Sequence, residues 1–489
     1  MKRFVGRIVA AAFLILALPT LTGCEVNPAT GRASFTALMG PEDEARVGAQ
    51  EHPKIIAQFG GVYDEPKVAG YVAQIGGRLV ANSEMPRYPF TFTVLNSPVI
   101  NAFALPGGYV YVTRGLVSLA NSEAELAGVI AHEIGHVTAR HTAERYSAAV
   151  AAQLGLTILG AATGNQDLVD LGQLGGQLAL AGFSRSQELE ADELGVRYLR
   201  NAGYDPKAVA QFLRSLDAEK NLMARIFKRD ANERDLFATH PPTPERVQVA
   251  TQLAGNATGV VNRDPFLDEI SGMLYGDDPE QGFVRDEVFL HPKLKFTFRV
   301  PAGFPMINTQ RAVIARRANT GLVRFDSAPR NESHPDPLTY LTQIWGRQLN
   351  LGRAERIEVN GLRGATAATR RVGTLDDYRG TLDLRLVVLQ APGNTLYRFL
   401  FVSRPEATAG LATEFQRTTY SFRMLRDAEV KNLQPLTVEL QPVKGGDTQE
   451  SLAAGLPFAD FRVERFRILN GLRPGELPPP GGRVKVIAE

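Results

Sequence analysis

Two histidines four residues apart, with a glutamate beside the first, form the clearest chemical motif of the sequence. The motif reads His132-Glu133-Ile134-Gly135-His136. On a helix, residues four apart lie on one face, so both imidazoles can reach a single ion. Glu133 is then placed to take a proton from water that the ion activates. These residues predict a metal-dependent hydrolytic site.

The neighbouring residues predict that the helix carrying this motif is buried. Ser122-Glu123-Ala124-Glu125 has the pattern of a capping box, and residues 126–131 form an uninterrupted apolar run. The alternative is a solvated helix face with two ordinary histidines. Buried paired histidines beside a carboxylate are instead typical of a metal site or a proton-transfer site. We expect one zinc ion per chain, because catalytic zinc sites use three protein ligands and leave a fourth position for water.

A later helical stretch, Glu188-Leu189-Glu190-Ala191-Asp192, offers the third ligand. Together with the histidine motif it resembles metallopeptidase family 48, the group of HtpX, BepA and the CAAX prenyl proteases. The resemblance implies a mainly helical zincin fold of the gluzincin type, with Glu188 binding zinc and Asp192 orienting a ligating histidine. The i,i+4 spacing places both carboxylates on one face, as this requires. A structural salt bridge is the alternative interpretation of Glu188.

Two more segments resemble this family. Asn101-Ala102-Phe103-Ala104, ahead of a Pro-Gly-Gly turn, resembles the edge strand along which a peptide substrate would pair through its main chain. An ordinary core strand is the alternative. Thr239-His240-Pro241-Pro242 resembles a histidine-proline motif whose histidine, in such relatives, can approach the zinc and keep the enzyme latent. His240 could otherwise donate to the oxyanion of the tetrahedral intermediate, or be an ordinary loop histidine.

The remaining histidines and one glutamate are expected to lie outside the site. His141 follows His136 by five positions, so it should point off the metal face and be a surface or packing residue. Glu190 should face away from the metal as a surface charge. The other histidines have no companion motif and are interpreted as structural: His52, His291 and His334.

The N-terminus has the pattern of an export signal. A basic start precedes an apolar run at residues 8–18, which is too short to span a bilayer comfortably. Leu21-Thr22-Gly23-Cys24 then resembles the lipobox of bacterial lipoproteins. This implies lipidation of Cys24, the only cysteine of the chain. A plain signal peptide with an incidental cysteine is the alternative. Glu25 follows Cys24, not the aspartate that commonly retains lipoproteins at the inner membrane, so in a Gram-negative host the periplasmic face of the outer membrane is favoured.

With 489 residues, the chain is expected to fold as about three domains of an α+β multidomain protein. Helical periodicity predicts helices at 68–80, 123–146 and 187–200. Short alternating runs, with a helix candidate at 337–349 among them, predict an antiparallel sheet whose strand order resembles a PsbP-like fold, and the C-terminal segment resembles a LysM module. Residues 148–162 predict a buried or surface-covering helix, with a lid over the cleft as the alternative. The predicted boundaries are a signal peptide at 1–23, a lipidated tether at 24–40, a zinc metalloprotease domain at 41–255, a linker at 256–285, an α+β domain at 286–426 and a LysM-like segment at 432–489.

Composition and resemblance together favour an envelope peptidase. The formal net charge is +2 and no strong basic stripe appears, which argues against a nucleic-acid partner. Lipid anchoring and appended domains favour protein quality control, with unfolded or misassembled envelope proteins as substrates. One alternative is an envelope chaperone or scaffold protein with secondary or latent protease activity. Another is a peptidoglycan-associated factor that binds glycan through residues 432–489.

Overall fold

The computed structural model describes residues 24–27, 29–36, 38–151, 182–227, 240–330 and 336–489. The predicted signal peptide, most of the 148–162 segment, Thr239 and His334 lie outside these ranges. Within them, no helix combines the length and the apolar character that crossing a membrane requires.

The candidate site belongs to a largely helical region, here called the peptidase unit. Residues 141–151 are helical as well. The helices predicted near residues 68–80 and 187–200 are confirmed. In chain order the unit contains β1 (Cys24–Val26), β2 (Ala33–Phe35), α1 (Pro41–Gln58), α2 (Pro66–Ala81), β3 (Thr91–Leu95), β4 (Ala102–Leu105), β5 (Tyr109–Thr113), α3 (Arg114–Leu119), α4 (Glu123–Thr138), α5 (Arg185–Asn201), α6 (Ala208–Phe227), α7 (Pro244–Ala254), α8 (Arg263–Ile270) and β6 (Leu274–Tyr275).

Helix α4 carries the histidine motif and begins where its capping residues predict. The Ser122 hydroxyl accepts a hydrogen bond from the Glu125 amide at 3.2 Å. The helix was expected to continue to residue 146, but it ends at Thr138. Arg140 adopts a left-handed backbone with φ of +56° and donates a side-chain hydrogen bond to the Met39 carbonyl at 2.8 Å. A residue in this conformation cannot continue a right-handed helix, so the chain turns there.

The extended segment predicted beside the site is a hairpin at the edge of a small sheet. Strand β4 pairs antiparallel with β5, and β5 pairs parallel with β3, in the order β3-β5-β4. Gly107 and Gly108 both have a φ of +82°, which glycine adopts without strain, and they close the hairpin. Strand β4 therefore has one unpaired edge within this sheet, as the substrate-strand interpretation requires.

The segment predicted as a lipidated tether makes contacts with the peptidase unit. Strands β1 and β2 pair antiparallel. Between them, the buried Asn27 side chain donates to the Thr138 carbonyl at the end of α4, at 2.9 Å. Ala29 and Met39 are also buried. These contacts fix residues 27–40 against the helix that bears the histidine motif.

Residues 276–431 form a second region, here called the inserted region. Its seven-stranded antiparallel sheet has the order β10-β11-β12-β16-β15-β14-β13, and a four-stranded sheet has the order β17-β9-β8-β7. The helix predicted at 337–349 is a short turn, α9, that continues as a π-helix over Tyr340–Trp345. The antiparallel sheet prediction is confirmed. The elements are β7 (Phe283–Arg285), β8 (Val288–His291), β9 (Phe296–Arg299), β10 (Met306–Asn308), β11 (Val313–Arg317), β12 (Gly321–Pro329), α9 (Pro337–Thr339), β13 (Glu355–Val359), β14 (Leu362–Leu375), β15 (Tyr378–Gln390), β16 (Thr395–Ser403), α10 (Pro405–Ser421), β17 (Arg423–Met424) and α11 (Asp427–Lys431).

The C-terminal segment returns to the peptidase unit. It consists of β18 (Leu436–Pro442), α12 (Gln449–Ala453), α13 (Arg462–Leu469) and β19 (Arg483–Ala488), and β18 pairs with both β19 and β6. Its apolar side chains share one core with α6 and α8. The predicted linker at 256–285 therefore contains a helix and a strand of the unit, and residues 276–431 are inserted between two paired strands. The LysM-like interpretation stays a prediction.

Candidate metal centre

Helix α4 brings the two motif histidines to one point. His132 and His136 are both buried, and their Nε2 atoms lie 3.0 Å apart. In both rings Nδ1 faces the opposite way, towards other side chains. The pair is therefore arranged as the four-residue spacing predicts.

Helix α5 supplies the predicted carboxylate. The Glu188 oxygens lie 3.5 Å from Nε2 of His132 and 3.4 Å from Nε2 of His136. Two glycines allow the helices to approach this closely. A Cβ on Gly135 would lie 3.2 Å from the Ala191 carbonyl, and a Cβ on Gly195 would lie 3.3 Å from the backbone of His132. Larger residues at either position would push the carboxylate away from the histidines.

His240 also reaches this cluster. Its Nδ1 lies 3.3 Å from Nε2 of His132 and 2.8 Å from Oε1 of Glu188. Each of the four side chains thus offers one ligand atom, and these atoms all lie within 4.8 Å of one another. The four residues could hold a metal ion: His132, His136, Glu188 and His240.

Asp192 lies behind His132, as expected for a residue that orients this ring. Its Oδ1 is 2.9 Å from Nδ1 of His132. The buried Arg246 donates to both Asp192 oxygens at 2.7 Å, and its Nη1 lies 2.7 Å from Glu188. The same nitrogen donates to the Pro241 carbonyl at 3.1 Å. Arg246 thus ties the His240 loop to the two carboxylates. The sequence motifs did not identify it, although two buried carboxylates require a cation nearby.

The environments of the two motif histidines shift their pKa values in opposite directions. Burial disfavours protonation of His132, but the Asp192 and Glu188 carboxylates outweigh it and raise its pKa to about 9. Burial holds the pKa of His136 well below its usual value. Burial likewise opposes ionisation of Asp192, yet the Arg246 guanidinium lowers the pKa of this carboxyl. The cluster therefore combines ionised carboxylates with a neutral imidazole at His136.

His141 and Glu190 make contacts near the site that the sequence did not predict. His141 is buried, and its Nδ1 lies 2.8 Å from Nδ1 of His136. Glu190 is only partly exposed and lies 3.5 Å from Nε2 of His141. The predicted helix would have carried residue 141 away from His136, but the turn at Arg140 places His141 behind the His136 ring, on the side opposite the ligand atom Nε2. Phe183 stacks on the His136 ring with the centroids 3.8 Å apart, a contact that no motif indicated.

Glu133 lies beside the cluster and next to a small apolar cavity. Its Oε1 is 3.6 Å from Nε2 of His240, and its buried Oε2 has no hydrogen-bond partner among the described residues. The cavity has a volume of about 60 Å³. Of the predicted substrate-binding residues, Asn101 and Ala102 line it, whereas Phe103 packs against Phe59 and Tyr111 on the other side. Ala104 does not line the cavity. The apolar lining residues are Ile100, Leu116, Val129, Val209, Phe212, Leu213 and Leu216.

The donor set fits zinc. Two imidazole nitrogens and a carboxylate oxygen form a ligand set that catalytic zinc sites use. The three side chains are buried, and a carboxylate stands behind one imidazole, as is typical of metal-binding histidines. A buried group of this kind requires a counter-ion or protons.

Residues 66–254 match the family model described as peptidase family M48. This part of the chain is an M48 peptidase domain. The M48 domain contains the motif histidines, both carboxylates and His240.

Several curated proteins are also similar to part of this chain. The beta-barrel assembly-enhancing protease of Yersinia pestis is 34% identical over 202 residues, which cover 40% of this chain and 40% of that protein. The protease of the same name from Escherichia coli K12 is 32% identical over 207 residues, 40% of this chain and 41% of that protein. The mitochondrial metalloendopeptidase OMA1 of Schizosaccharomyces pombe is 30% identical over 234 residues, which cover 46% of this chain and 65% of that protein. The chain thus spans less than half the length of the bacterial relatives.

The solution structure of cyanobacterial PsbP from Synechocystis sp. PCC 6803 also shows a likeness. It is 14% identical, covers 29% of this chain and 94% of PsbP, and has a TM-score of 0.23. A score this low supports no argument, so the PsbP-like fold stays a prediction.

Proposed function

We propose that this chain is a zinc-dependent endopeptidase of the bacterial envelope. The observation that carries the proposal is the convergence of His132, His136 and Glu188 on one point, beside Glu133 and a cavity next to strand β4. The M48 domain and its relatives, which are named as proteases, support it.

In this proposal His132, His136 and Glu188 hold the zinc ion, and Asp192 keeps the His132 ring in its binding orientation. The chemistry that a bound zinc ion supplies is that of a Lewis acid, which polarises a carbonyl and lowers the pKa of water. Burial opposes ionisation of both carboxylates, but the Arg246 guanidinium lowers the pKa of Asp192, and the neighbouring histidines, His240 foremost, lower the pKa of Glu188. Both carboxylates thereby retain the charge needed at the site.

Glu133 moves the proton. Its unpartnered Oε2 accepts a proton from the attacking water and returns it to the leaving amine. The substrate pairs through its main chain with the free edge of β4, which places its scissile bond beside Asn101 and Ala102. The apolar cavity then receives a side chain of the substrate next to the cluster.

Replacing Glu133 tests the activity. Glu133→Gln removes the base without changing the side-chain size, so the rate of casein cleavage should fall at least about a hundredfold while zinc content stays at one per chain. Glu193→Gln is the matched control, because Glu193 is exposed on helix α5. Cleavage by Glu133→Gln at the wild-type rate would overturn the proposal.

For His240 we propose the latent role. Its Nδ1 lies among the ligand atoms, which supports occupation of the metal site by the loop histidine rather than donation to an oxyanion. His240→Ala should therefore raise the rate of casein cleavage. A fall in the rate would instead favour the oxyanion role.

We also propose that the protein is lipid-anchored through Cys24 at the periplasmic face of the outer membrane and degrades misfolded or misassembled envelope proteins. The lipobox resemblance supports the anchor, and the names of the bacterial relatives, beta-barrel assembly-enhancing proteases, support the substrate class. Cys24→Ser should abolish incorporation of labelled palmitate and move the protein to the soluble periplasmic fraction. Unchanged labelling would rule out this anchor.

A further inference from the structure

His132 and His136 present the same nitrogen to the candidate metal centre but have different partners behind it. Nδ1 of His132 faces the Asp192 carboxylate, whereas Nδ1 of His136 lies 2.8 Å from Nδ1 of His141. A hydrogen bond between two imidazole nitrogens needs one N–H and one lone pair. The two rings of this second pair must therefore carry their protons in a defined arrangement.

The metal site determines that arrangement. If Nε2 of His136 offers its lone pair to an ion, the ring proton resides on Nδ1. His136 then donates from Nδ1, so His141 accepts at Nδ1 and carries its own proton on Nε2. The group that Nε2 of His141 faces is Oε2 of Glu190, at 3.5 Å, which can accept this proton's hydrogen bond. Every donor in the series thus meets an acceptor.

The series ends on the N-terminal segment. Arg32, between β1 and β2, lies 3.2 Å from the Glu190 oxygen that faces His141. His141 itself is buried, so its orientation depends on its contacts with His136 and Glu190 and on its packing. The Asn27 bond to Thr138 fixes the same segment against the end of α4. A continuous set of polar contacts therefore joins residues 27–32 to a proposed metal ligand.

We propose that His141 is a positioning residue that holds His136 in its metal-binding tautomer, and that Glu190 and Arg32 hold His141 in turn. The inference rests on the proposed function, because it requires a metal ion at the cluster. It adds a role for the segment that follows Cys24. By docking on α4, this segment supports a ligand of the metal and raises the affinity of the site.

The test measures metal binding rather than cleavage. The zinc dissociation constant of the full chain is obtained by competition with a chromophoric chelator, and the absorption spectrum of bound Co²⁺ reports the ligand geometry. His141→Leu should weaken zinc binding by about 10- to 100-fold and change the Co²⁺ spectrum. His141→Asn can place an acceptor oxygen near the position of Nδ1, so it should stay within about threefold of wild type. Arg32→Ala should weaken binding by no more than about threefold, because the Arg32 side chain is largely exposed to solvent.

Matched variants separate this effect from a general loss of stability. His52→Leu removes another histidine contact, the 2.6 Å bond between His52 and the Tyr111 hydroxyl, and should leave zinc binding unchanged. If His141→Leu does not fold, His141→Gln takes its place in the test. The glutamine amide lies near the position that Nε2 of His141 occupies in the wild type, so Nδ1 of His136 is left without an acceptor. Equal zinc affinity of the Asn variant and of the Leu or Gln variant would overturn the positioning role. Absence of zinc binding by the wild type would instead refute the proposed function.

Discussion

The peptidase unit and the inserted region bury different kinds of side chain. In the inserted region the core is a cluster of aromatic rings, and among its described histidine and charged side chains only His291 and Asp326 are buried. The peptidase unit with its C-terminal strands buries many more: Glu44, Arg114, Glu123, Glu125, His132, Glu133, His136, His141, Glu188, Asp192, Arg246 and Lys485.

This difference separates stability from chemistry. Burying charge without a partner costs free energy, whereas burying an aromatic ring gains it. The peptidase unit buries charged groups at many positions despite this free-energy cost, so we expect these groups to have a function. The candidate metal centre lies in this unit. Trp345, the only tryptophan, lies in the inserted region, so its fluorescence distinguishes unfolding of this region from unfolding of the peptidase unit.

The largest effect should come from breaking a buried ion pair. Arg246→Leu leaves Asp192 and Glu188 buried without their guanidinium, so we expect the free energy of unfolding of the peptidase unit to fall by about 3–5 kcal/mol. Urea unfolding of the zinc-free protein, followed by far-UV circular dichroism, measures this change. The control is Arg370→Leu, which breaks the exposed pair with Asp383 and should shift nothing measurable. Equal shifts for both variants would contradict the contrast between the regions.

A second change should affect only the inserted region. Phe399 is fully buried among aromatic rings, and Phe399→Ala should lower the free energy of unfolding of that region by about 3–4 kcal/mol. The urea transition of Trp345 fluorescence should move, while zinc affinity stays as in the wild type. Phe266→Ala provides the reciprocal control in the core of the peptidase unit. A loss of zinc binding in Phe399→Ala would mean that the regions are not energetically separate.

A third, smaller effect depends on pH. Burial lowers the pKa of His291 to about 4, with Lys293 opposing protonation and Glu280 favouring it. The unfolded chain takes up this proton near pH 6.5 and the folded chain only near pH 4, so the stability of the inserted region should fall as the pH drops between these values. Allowing for solvent screening, the loss should reach about 2 kcal/mol.

Trp345 fluorescence in urea, measured at a series of pH values, records this loss. In the wild type, Nδ1 of His291 accepts a hydrogen bond from the Leu294 amide at 3.3 Å. The variant His291→Asn keeps an acceptor for this amide, but its side chain does not titrate. The free energy of unfolding of this variant should therefore lack the decrease between pH 6.5 and 4 that His291 causes in the wild type. An unchanged pH dependence would show that His291 is not the responsible group.

The local parts of the site were predictable because helical spacing is a local property. Two histidines at i and i+4 share a face of α4, and Glu188 and Asp192 share a face of α5, as the structure shows. His141 is buried, as a packing residue would be, but its contact with His136 was not predicted because the prediction assumed that the helix continues. The left-handed turn at Arg140 depends on its contacts with Glu44 and Met39, which lie about a hundred positions away in the sequence.

The domain boundaries show the same division. The antiparallel strands of the inserted region followed from their alternating pattern. The insertion of this region into the peptidase unit could not be predicted from local patterns, because it depends on the pairing of β6 with β18. This pairing joins Leu274 to Thr437 across the whole insertion. Lys485 likewise donates to the Ser118 carbonyl at 2.7 Å, a contact between the two ends of the unit that no local pattern indicates.

The sequence by itself thus determined the two proposed histidine ligands, the proposed base and the class of chemistry, since these depend on residue types at short spacings, and the family resemblance added Glu188 as the third proposed ligand. Only the tertiary structure decided what supports them. Arg246, His141 and Lys485 acquire their roles from partners that are remote in the chain, because burial makes a charged or polar group depend on whichever element packs against it.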